Sequence, residues 1–308
     1  MKLHTSSGNW QLGLGLSIIT VLLWGLIPLA LGVVLQSIDV ATVNAFRFLS
    51  SFVLLGSYLA SRQQLPTIKQ LQATSPVLML VAISGLTCNY LFFTKGLIAT
   101  SPSHAEVLIQ LAHLFFGFGG LLIFKETYSR KQLVGLGILV LGLVGFFNQQ
   151  LAVVAATEKY WEGSAMLAFA ALTWAIYALA QKQMLQQLSS GQIMWIIYGC
   201  CGMIFGVFSH PASVLTMSPL QWGMLIFAGL NTFVAYGAFA ESLAHWPASR
   251  VSAVLALAPI VTLIAMAILA PWLSLHAEKI TPWGIAGAMA VVVGSISISL
   301  NDQPKRSR

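Results

Sequence analysis

Residues 90–115 read YLFFTKGLIATSPSHAEVLIQLAHLF. The stretch is apolar enough for a lipid bilayer, yet it holds Lys95, His104, Glu106, Gln110 and His113. Ser101-Pro102-Ser103 interrupts it. Proline turns the preceding residue away from helix and suits a helix's first turn, so one helix ends here and another begins. Shifted by 146 residues, the stretch meets its own likeness. Tyr90 falls on Tyr236, Phe93 on Phe239, Leu97 on Leu243, Ser103 on Ser249, Leu111 on Leu257 and Ala112 on Ala258, while Lys95 falls on Glu241. Nearby offsets extend the match: Trp24 on Trp174 at 150, and Gly135 with Gly145 on Gly284 with Gly294 at 149. Ordered matches at a nearly constant offset mark an internal duplication.

The whole chain has the same character. Of 308 residues, 57% are hydrophobic and 7% charged, and the mean hydropathy is +0.84. Soluble domains carry about 25% charged residues, so this chain cannot cover a water-facing surface and reads as an all-α integral membrane protein. Cys88, Cys200 and Cys201 all lie in apolar runs; an odd, scattered set is neither a disulfide framework nor a metal site. No metal and no cofactor is expected.

A spanning helix needs roughly 20 mostly apolar residues. Ten runs qualify, at about 12–35, 41–60, 77–99, 103–124, 131–149, 163–185, 192–213, 219–243, 249–271 and 283–301. Residues 1–11 are polar and no signal-peptide pattern precedes the first run. With the N-terminus inside, the inner segments hold Lys2, Arg62, Lys69, Lys125, Arg130, Lys131, Lys182, Arg250, Lys305, Arg306 and Arg308, against Lys159 and Lys279 outside. By the positive-inside rule both termini are cytoplasmic in a multi-pass cell-membrane protein. The same split accounts for the net charge of +7 without a nucleic-acid partner; the partners expected are the bilayer and a small-molecule substrate, and protons are candidates.

Two halves of five helices, 12–149 and 163–301, follow from the duplication. Five is odd, so the second half enters the membrane from the other side. Inverted repeats suit alternating access, with the substrate bound near the midplane between them.

FKETYSRKQLVGLGILVLGLVGFF (124–147), with Glu126, Gly135, Gly142 and Gly145, resembles the end of the fourth helix and the whole fifth helix of EamA-type proteins of the drug/metabolite transporter superfamily. LLWGLIPLALG (22–32) is similar to that family's first helix, Arg47-Phe48 to the pair in its second, and ALAPI (256–260) to the ninth around Pro259; Glu278 and Thr281 echo the fourth–fifth turn. Two departures stand out: His113 where the other half has Pro259, and the turn PWLSLHAEKITPW (271–283). The resemblance covers about 12–300. It implies ten helices as two inverted five-helix repeats, each EamA-like, no nucleotide motor, a monomer or weak homodimer, and a secondary transporter exporting amino acids or related small metabolites.

Polar groups inside spans usually face the bundle interior or a cavity. Glu106, Gln110 and His113, at i, i+4 and i+7, share one helix face: they either line a substrate cavity or tie helices together. His113 can also carry a proton, and Glu106 and Glu241 are candidates for proton coupling or a gate. Lys95 serves either the cavity or an ion pair. Arg47, an arginine within a span, either binds a substrate carboxylate or pairs with a carbonyl or Glu106. Trp24 and Trp174, equivalent in the two halves, are candidates for the pseudo-symmetric centre, joined by Asn89, Tyr90, Tyr177, Asn231 and Tyr236. Trp10, Trp161, Trp222, Trp272 and Trp283 read as interface anchors, and Gly202-x-x-x-Gly206 as a close helix contact. A sugar- or phosphate-metabolite exchanger would want more cavity cations than Arg47 and Lys95. An intramembrane enzyme would want a motif such as HExxH or GxSxG, and the chain has neither; no catalytic residue is expected.

Overall fold

The computed structural model describes residues 6–125, 129–154, 158–273, 275 and 281–300. Lys2, Glu126, Glu278, Lys279, Lys305, Arg306, Arg308 and the side chain of His113 lie outside the described residues. What is described is helical: α1 (Trp10–Val34), α2 (Val40–Ser61), α3 (Ile68–Ala73), α4 (Pro76–Ala99), α5 (Pro102–Leu108), α6 (Gln110–Ile123), α7 (Arg130–Val154), α8 (Glu158–Met184), α9 (Ser190–Val207), α10 (Pro219–His245), α11 (Ala248–Leu255), α12 (Ala258–Leu269) and α13 (Pro282–Leu300), with a 3₁₀ turn at Pro211–Thr216.

Local chemistry sets the starts. Asn9, Asp39 and Ser75 accept from the first-turn N–H groups of α1, α2 and α4. Ser189 with Gln192 and Ser218 with Gln221 form capping boxes at α9 and α10. Each cap satisfies donors that the helix itself leaves unpaired.

Eight stretches are long and apolar enough to cross a bilayer, and a shorter apolar helix, Pro282–Gly294, adds to them. Two of the eight, Pro102–Ile123 and Ala248–Leu269, are broken in the middle. The second break lies at Ala256–Leu257, just before Pro259 in the first turn of α12. Proline there has no N–H for the carbonyl one turn back. The first break, at Ile109, has no proline. Here Gln110 donates through Nε2 to the Glu106 carbonyl at 3.0 Å, giving that carbonyl a partner where the helix is interrupted. The runs expected at 131–149 and 283–301 are helical as α7 and α13.

Helix contacts come in matched pairs. Exchanging α1 with α8, α2 with α9, α4 with α10, α5 with α11, α6 with α12 and α7 with α13 turns the α1–α10 contact into α8–α4, α6–α8 into α12–α1, α1–α11 into α8–α5 and α5–α12 into α11–α6; all are present. The bonds inside the matched pairs differ. Asn89 Nδ2 donates to the Ala170 carbonyl at 3.0 Å across α4–α8, whereas Thr20 Oγ1 donates to the Ala235 carbonyl at 3.3 Å across α1–α10. Equivalent sites are tied by the side chain of one helix in the first case and of the other in the second.

The α7–α13 pair corrects the offset read from the glycines. A Cβ on Gly142 would stand 2.6 Å from Val291 N and 2.8 Å from Gly287 O; one on Gly294 would stand 2.5 Å from Leu139 N and 2.7 Å from Gly135 O. The contact is reciprocal at 152 residues, Gly135–Leu139–Gly142 against Gly287–Val291–Gly294, because backbone approach rather than sequence likeness sets the register. Likewise only half of the Gly202–Gly206 expectation holds. Gly202 meets Leu49 on α2, but a Cβ on Gly206 would meet nothing within 4 Å.

The N-terminal face of the bundle is defined by Ser7, whose N–H donates to the Ala244 carbonyl at 2.9 Å. The opposite face carries the ends of α1 and the starts of α2, α5 and α10, where Gln221 Nε2 donates to Ser37 Oγ at 2.5 Å. Lys182 and Arg250, counted among the basic residues of the inner edge, are nonetheless buried. The Lys182 ammonium lies 5.0 Å from the Phe124 ring centre.

Candidate functional site

A recess of about 530 Å³, counting its mouth, opens between α1, α2, α4, α5, α6, α8 and α10. Its walls are Trp24, Ile27, Arg47, Asn89, Tyr90, Phe93, Glu106, Ile109, Ala112, Trp174 and Tyr236. Two repeat-equivalent aromatic pairs meet at its floor. The ring centres of Trp24 and Trp174 are 5.5 Å apart, edge to face, and those of Tyr90 and Tyr236 are 5.7 Å apart. Equivalent residues in mutual contact lie on the pseudo-symmetry axis.

Arg47 is 5% exposed, on the buried face of α2. Its Nε donates to Thr232 Oγ1 at 2.9 Å and its Nη2 to the Tyr90 hydroxyl at 3.4 Å. The guanidinium sits 4.4 Å from the Tyr90 ring centre, a favourable cation–π distance. Neither a carbonyl nor Glu106 holds it, contrary to the bland pairing open at the sequence level. Glu106 is 4% exposed, on α5. Its Oε1 accepts from Gln110 Nε2 at 3.3 Å. Among the described residues no salt bridge joins it to Arg47. One recess thus holds a buried guanidinium and a buried carboxyl group that are not bonded to each other.

Seven of the expected site residues therefore converge: Trp24, Arg47, Asn89, Tyr90, Glu106, Trp174 and Tyr236. The other described ones are placed elsewhere, and the side chain of His113 lies outside the described residues. Lys95 is exposed; it stands two residues past Phe93, about 200° around the helix, so α4 cannot present both to the recess. Gln110 braces the break at Ile109 and lines a second, smaller recess with Ser249 and Ser252 between α6, α7 and α11. Tyr177 is fully buried, its hydroxyl donating to Met194 Sδ at 3.3 Å. Asn231 ties α10 to α1 through the Leu23 carbonyl. The neighbouring Gly25 carbonyl accepts from Thr262 at 2.6 Å, so bonds from two helices brace the stretch of α1 that precedes Pro28.

Glu241 is at the N-terminal face, not in the recess. It accepts from Ser190 Oγ at the start of α9, and lies 3.2 Å from His245 Nε2. The His245 Nδ1 is 2.8 Å from Ser7 Oγ. The cluster joins α9, α10 and the N-terminal segment in one clasp.

Phe93, Ile27, Ile109, Ala112 and the Arg47 partner Thr232 were not anticipated. For Phe93 a signal existed: it matches Phe239 in the repeat and is one turn from Tyr90. Thr232 had none, since contact across 185 residues is invisible in sequence.

The EamA-like transporter family profile matches residues 11–148 and again 161–300. An "uncharacterized transporter" of Haemophilus influenzae is 34% identical over 288 residues, covering 92% of this chain and 94% of its own. The "uncharacterized inner membrane transporter YhbE" of Escherichia coli K12 is 34% identical over 293 residues, covering 93% and 91%. A "probable amino-acid metabolite efflux pump" of Salmonella typhimurium is 22% identical over 295 residues, covering 91% and 92%. A solved crystal structure superposes with a TM-score of 0.70 over 94% of this chain and 97% of its own, at 15% identity, which bears on the fold alone. With duplicated halves, apolar spans and a family match in each half that together cover nearly its whole length, the chain belongs to the EamA-like transporter family: it is a multi-pass membrane transporter, not an enzyme.

Proposed function

We propose that the protein is a secondary transporter that exports amino acids or related small metabolites across the cell membrane by alternating access. Ten spans, arranged as two inverted five-helix repeats with both termini cytoplasmic, do the moving. One observation carries the reading: residues that line the recess on one side of the pseudo-symmetry axis have, among the described residues, equivalents on the other side that are packed shut. Apart from the pairs that map onto each other, the repeat equivalents of the lining residues are Tyr177, Ile197, Ala235, Phe239, Leu255 and Ala258, all fully buried, and Ser252, 5% exposed. Phe239 packs between Trp24, Trp174 and Phe116, at ring-centre distances of 5.4, 5.1 and 6.0 Å. A two-gated carrier halted in one of its two states has this asymmetry. In this reading the N-terminal side is the closed gate, with Phe239 as its plug and the Glu241 clasp as its latch, and Glu106 and Glu241 are the carboxyl groups open to proton coupling.

The efflux-pump relative supports amino-acid compounds as substrates. A sugar- or phosphate-metabolite exchanger is disfavoured by a recess with Arg47 as its cation and Lys95 outside it. The glycine seam of α7 and α13 is used within the chain, in keeping with a monomer or weak homodimer. Counterflow in proteoliposomes, with amino acids, nucleosides and sugar phosphates as the panel, tests the reading: exchange of amino-acid compounds is expected, and no exchange of any class refutes it. A reporter fused after Arg308 tests the topology and is expected on the cytoplasmic side.

A further inference from the structure

The guanidinium and the carboxyl group in the recess define what it can hold. Arg47 uses Nε and Nη2 on Thr232 and Tyr90 and keeps Nη1 for a ligand. Glu106 uses Oε1 on Gln110 and keeps Oε2. Each group is at least nine-tenths buried, and they stand on different walls, on α2 and α5, without touching. A buried guanidinium without a counter-charge is costly, a carboxyl group beside an ammonium forms a charge-assisted bond with it, and a ligand bearing one charge would satisfy only one of the two groups. Between them the walls are aromatic and aliphatic: Trp24, Phe93, Trp174, Ile109. We propose that the recess binds a zwitterion with an apolar substituent, its acid group on Arg47, its ammonium on Glu106 and its substituent against those walls. Glu106 is then the specificity-determining residue that rejects plain organic anions, and sugar phosphates with them. Amino acids with charged side chains are excluded as well, because the walls offer a third charge no partner.

This inference rests on the transport reading above, and the experiment separates the two. The full-length protein in proteoliposomes is loaded with L-leucine or L-phenylalanine, and counterflow of the labelled amino acid is measured. Competitors are the unlabelled amino acid, its amine analogue (3-methylbutylamine, 2-phenylethylamine), its acid analogue (4-methylpentanoate, 3-phenylpropanoate), L-lysine and L-glutamate. Each singly charged analogue is expected to compete on the order of thirtyfold more weakly than the zwitterion, the scale of leaving one buried charge unpaired. Glu106→Gln keeps the shape and the bond to Gln110, so its melting temperature is expected to stay near wild type. It should lose leucine and phenylalanine exchange while acid analogues gain relative to the zwitterion. A merely structural Glu106 would lower every compound alike. Equal competition by amine or acid, unchanged exchange in Glu106→Gln, or exchange of other metabolites with neither amino acid would overturn the zwitterion site and leave the transporter standing. Absence of exchange across the whole metabolite panel would instead remove the transport reading beneath it.

Discussion

Phe93 and Phe239 occupy equivalent places in the two halves, and their surroundings are opposite. Phe93 faces the recess, whereas Phe239 is fully buried among aromatic rings. The residues around them explain why the two sides do not look alike. On the open side the recess is lined by Arg47 and Glu106; their equivalents on the closed side are Ile197 and Ser252. An apolar half can collapse onto itself. A half that holds a guanidinium and a carboxyl group not bonded to each other cannot collapse in the same way, because closing over them leaves their free polar atoms without partners. The edges differ in the same sense. Glu241 is held by Ser190 and His245 at the N-terminal face, while its equivalent, Lys95, is exposed. In the proposed carrier, the duplication would supply two gates of one geometry, and divergence in a few polar positions would give them unequal strength.

The sharpest way to break this comparison is Phe239→Ala. Removing a buried ring costs about 3–5 kcal/mol, and here the loss should fall on the closed gate. A large drop in the detergent melting temperature is expected, with Phe93→Ala, at the open side, losing much less. Equal losses would mean that the two positions are packed alike. Gly142→Ala comes next. Its Cβ would press on the Val291 backbone, so α7 and α13 must separate, at about 1–3 kcal/mol. Gly137→Ala, on an open face of the same helix, is expected to stay within about 0.5 kcal/mol; thermal unfolding of the pair reads whether the seam or mere helix composition matters.

Cutting the latch should have a smaller effect. Glu241→Ala removes partners of Ser190 and His245, and part-exposed ties of this kind contribute about 0.2–1 kcal/mol. Labelling of a cysteine placed at Ser252, in a background without Cys88, Cys200 and Cys201, should speed up about fivefold at most. An unchanged rate would take Glu241 out of the gate. Asp39 gives the smallest effect. Partial burial raises its pKa, but the Thr42 hydroxyl and the N–H groups of Thr42 and Ala41 outweigh it, so the carboxyl lies below its ordinary 3.8. A depressed acid contributes stability above its unfolded value and loses it as pH falls through the folded one. Asp39→Asn, which also loses the contact to His210 at 3.6 Å, should melt slightly lower than wild type near neutral pH. The gap should close as the pH falls below 3.8 and through the lower folded-state value.

Much of this was legible without coordinates, and the reason differs from residue to residue. The spans were readable because lipid demands a long apolar run whatever its neighbours. The break near Pro259 was readable because a missing N–H acts locally. Arg47 was readable as a cavity candidate, and Glu106 as a proton-coupling or gate candidate on a face shared with Gln110, because an ionisable group in a span must find company. Their separation was not, since it depends on how α2 and α5 are held apart by helices far along the chain. Lys95 was misplaced because its polarity was legible but its helical phase relative to the recess was not. Gln110 had the right face but a different role, bracing a helix break that no proline announces.

The amino-acid sequence by itself determined that the chain is a duplicated bundle of membrane helices and which few polar groups that bundle had to house. Composition, the 146-to-150 offset and the prolines are all linear signals, read without knowing what touches what. Only the tertiary structure decided which side of the pseudo-symmetry axis is hollow, that Arg47 bonds Thr232 rather than Glu106, and that α7 and α13 meet at an offset of 152. Those outcomes depend on contacts between residues far apart in the chain, where close backbone approach and the fit of rings into one another choose among arrangements that share the same apolar pattern.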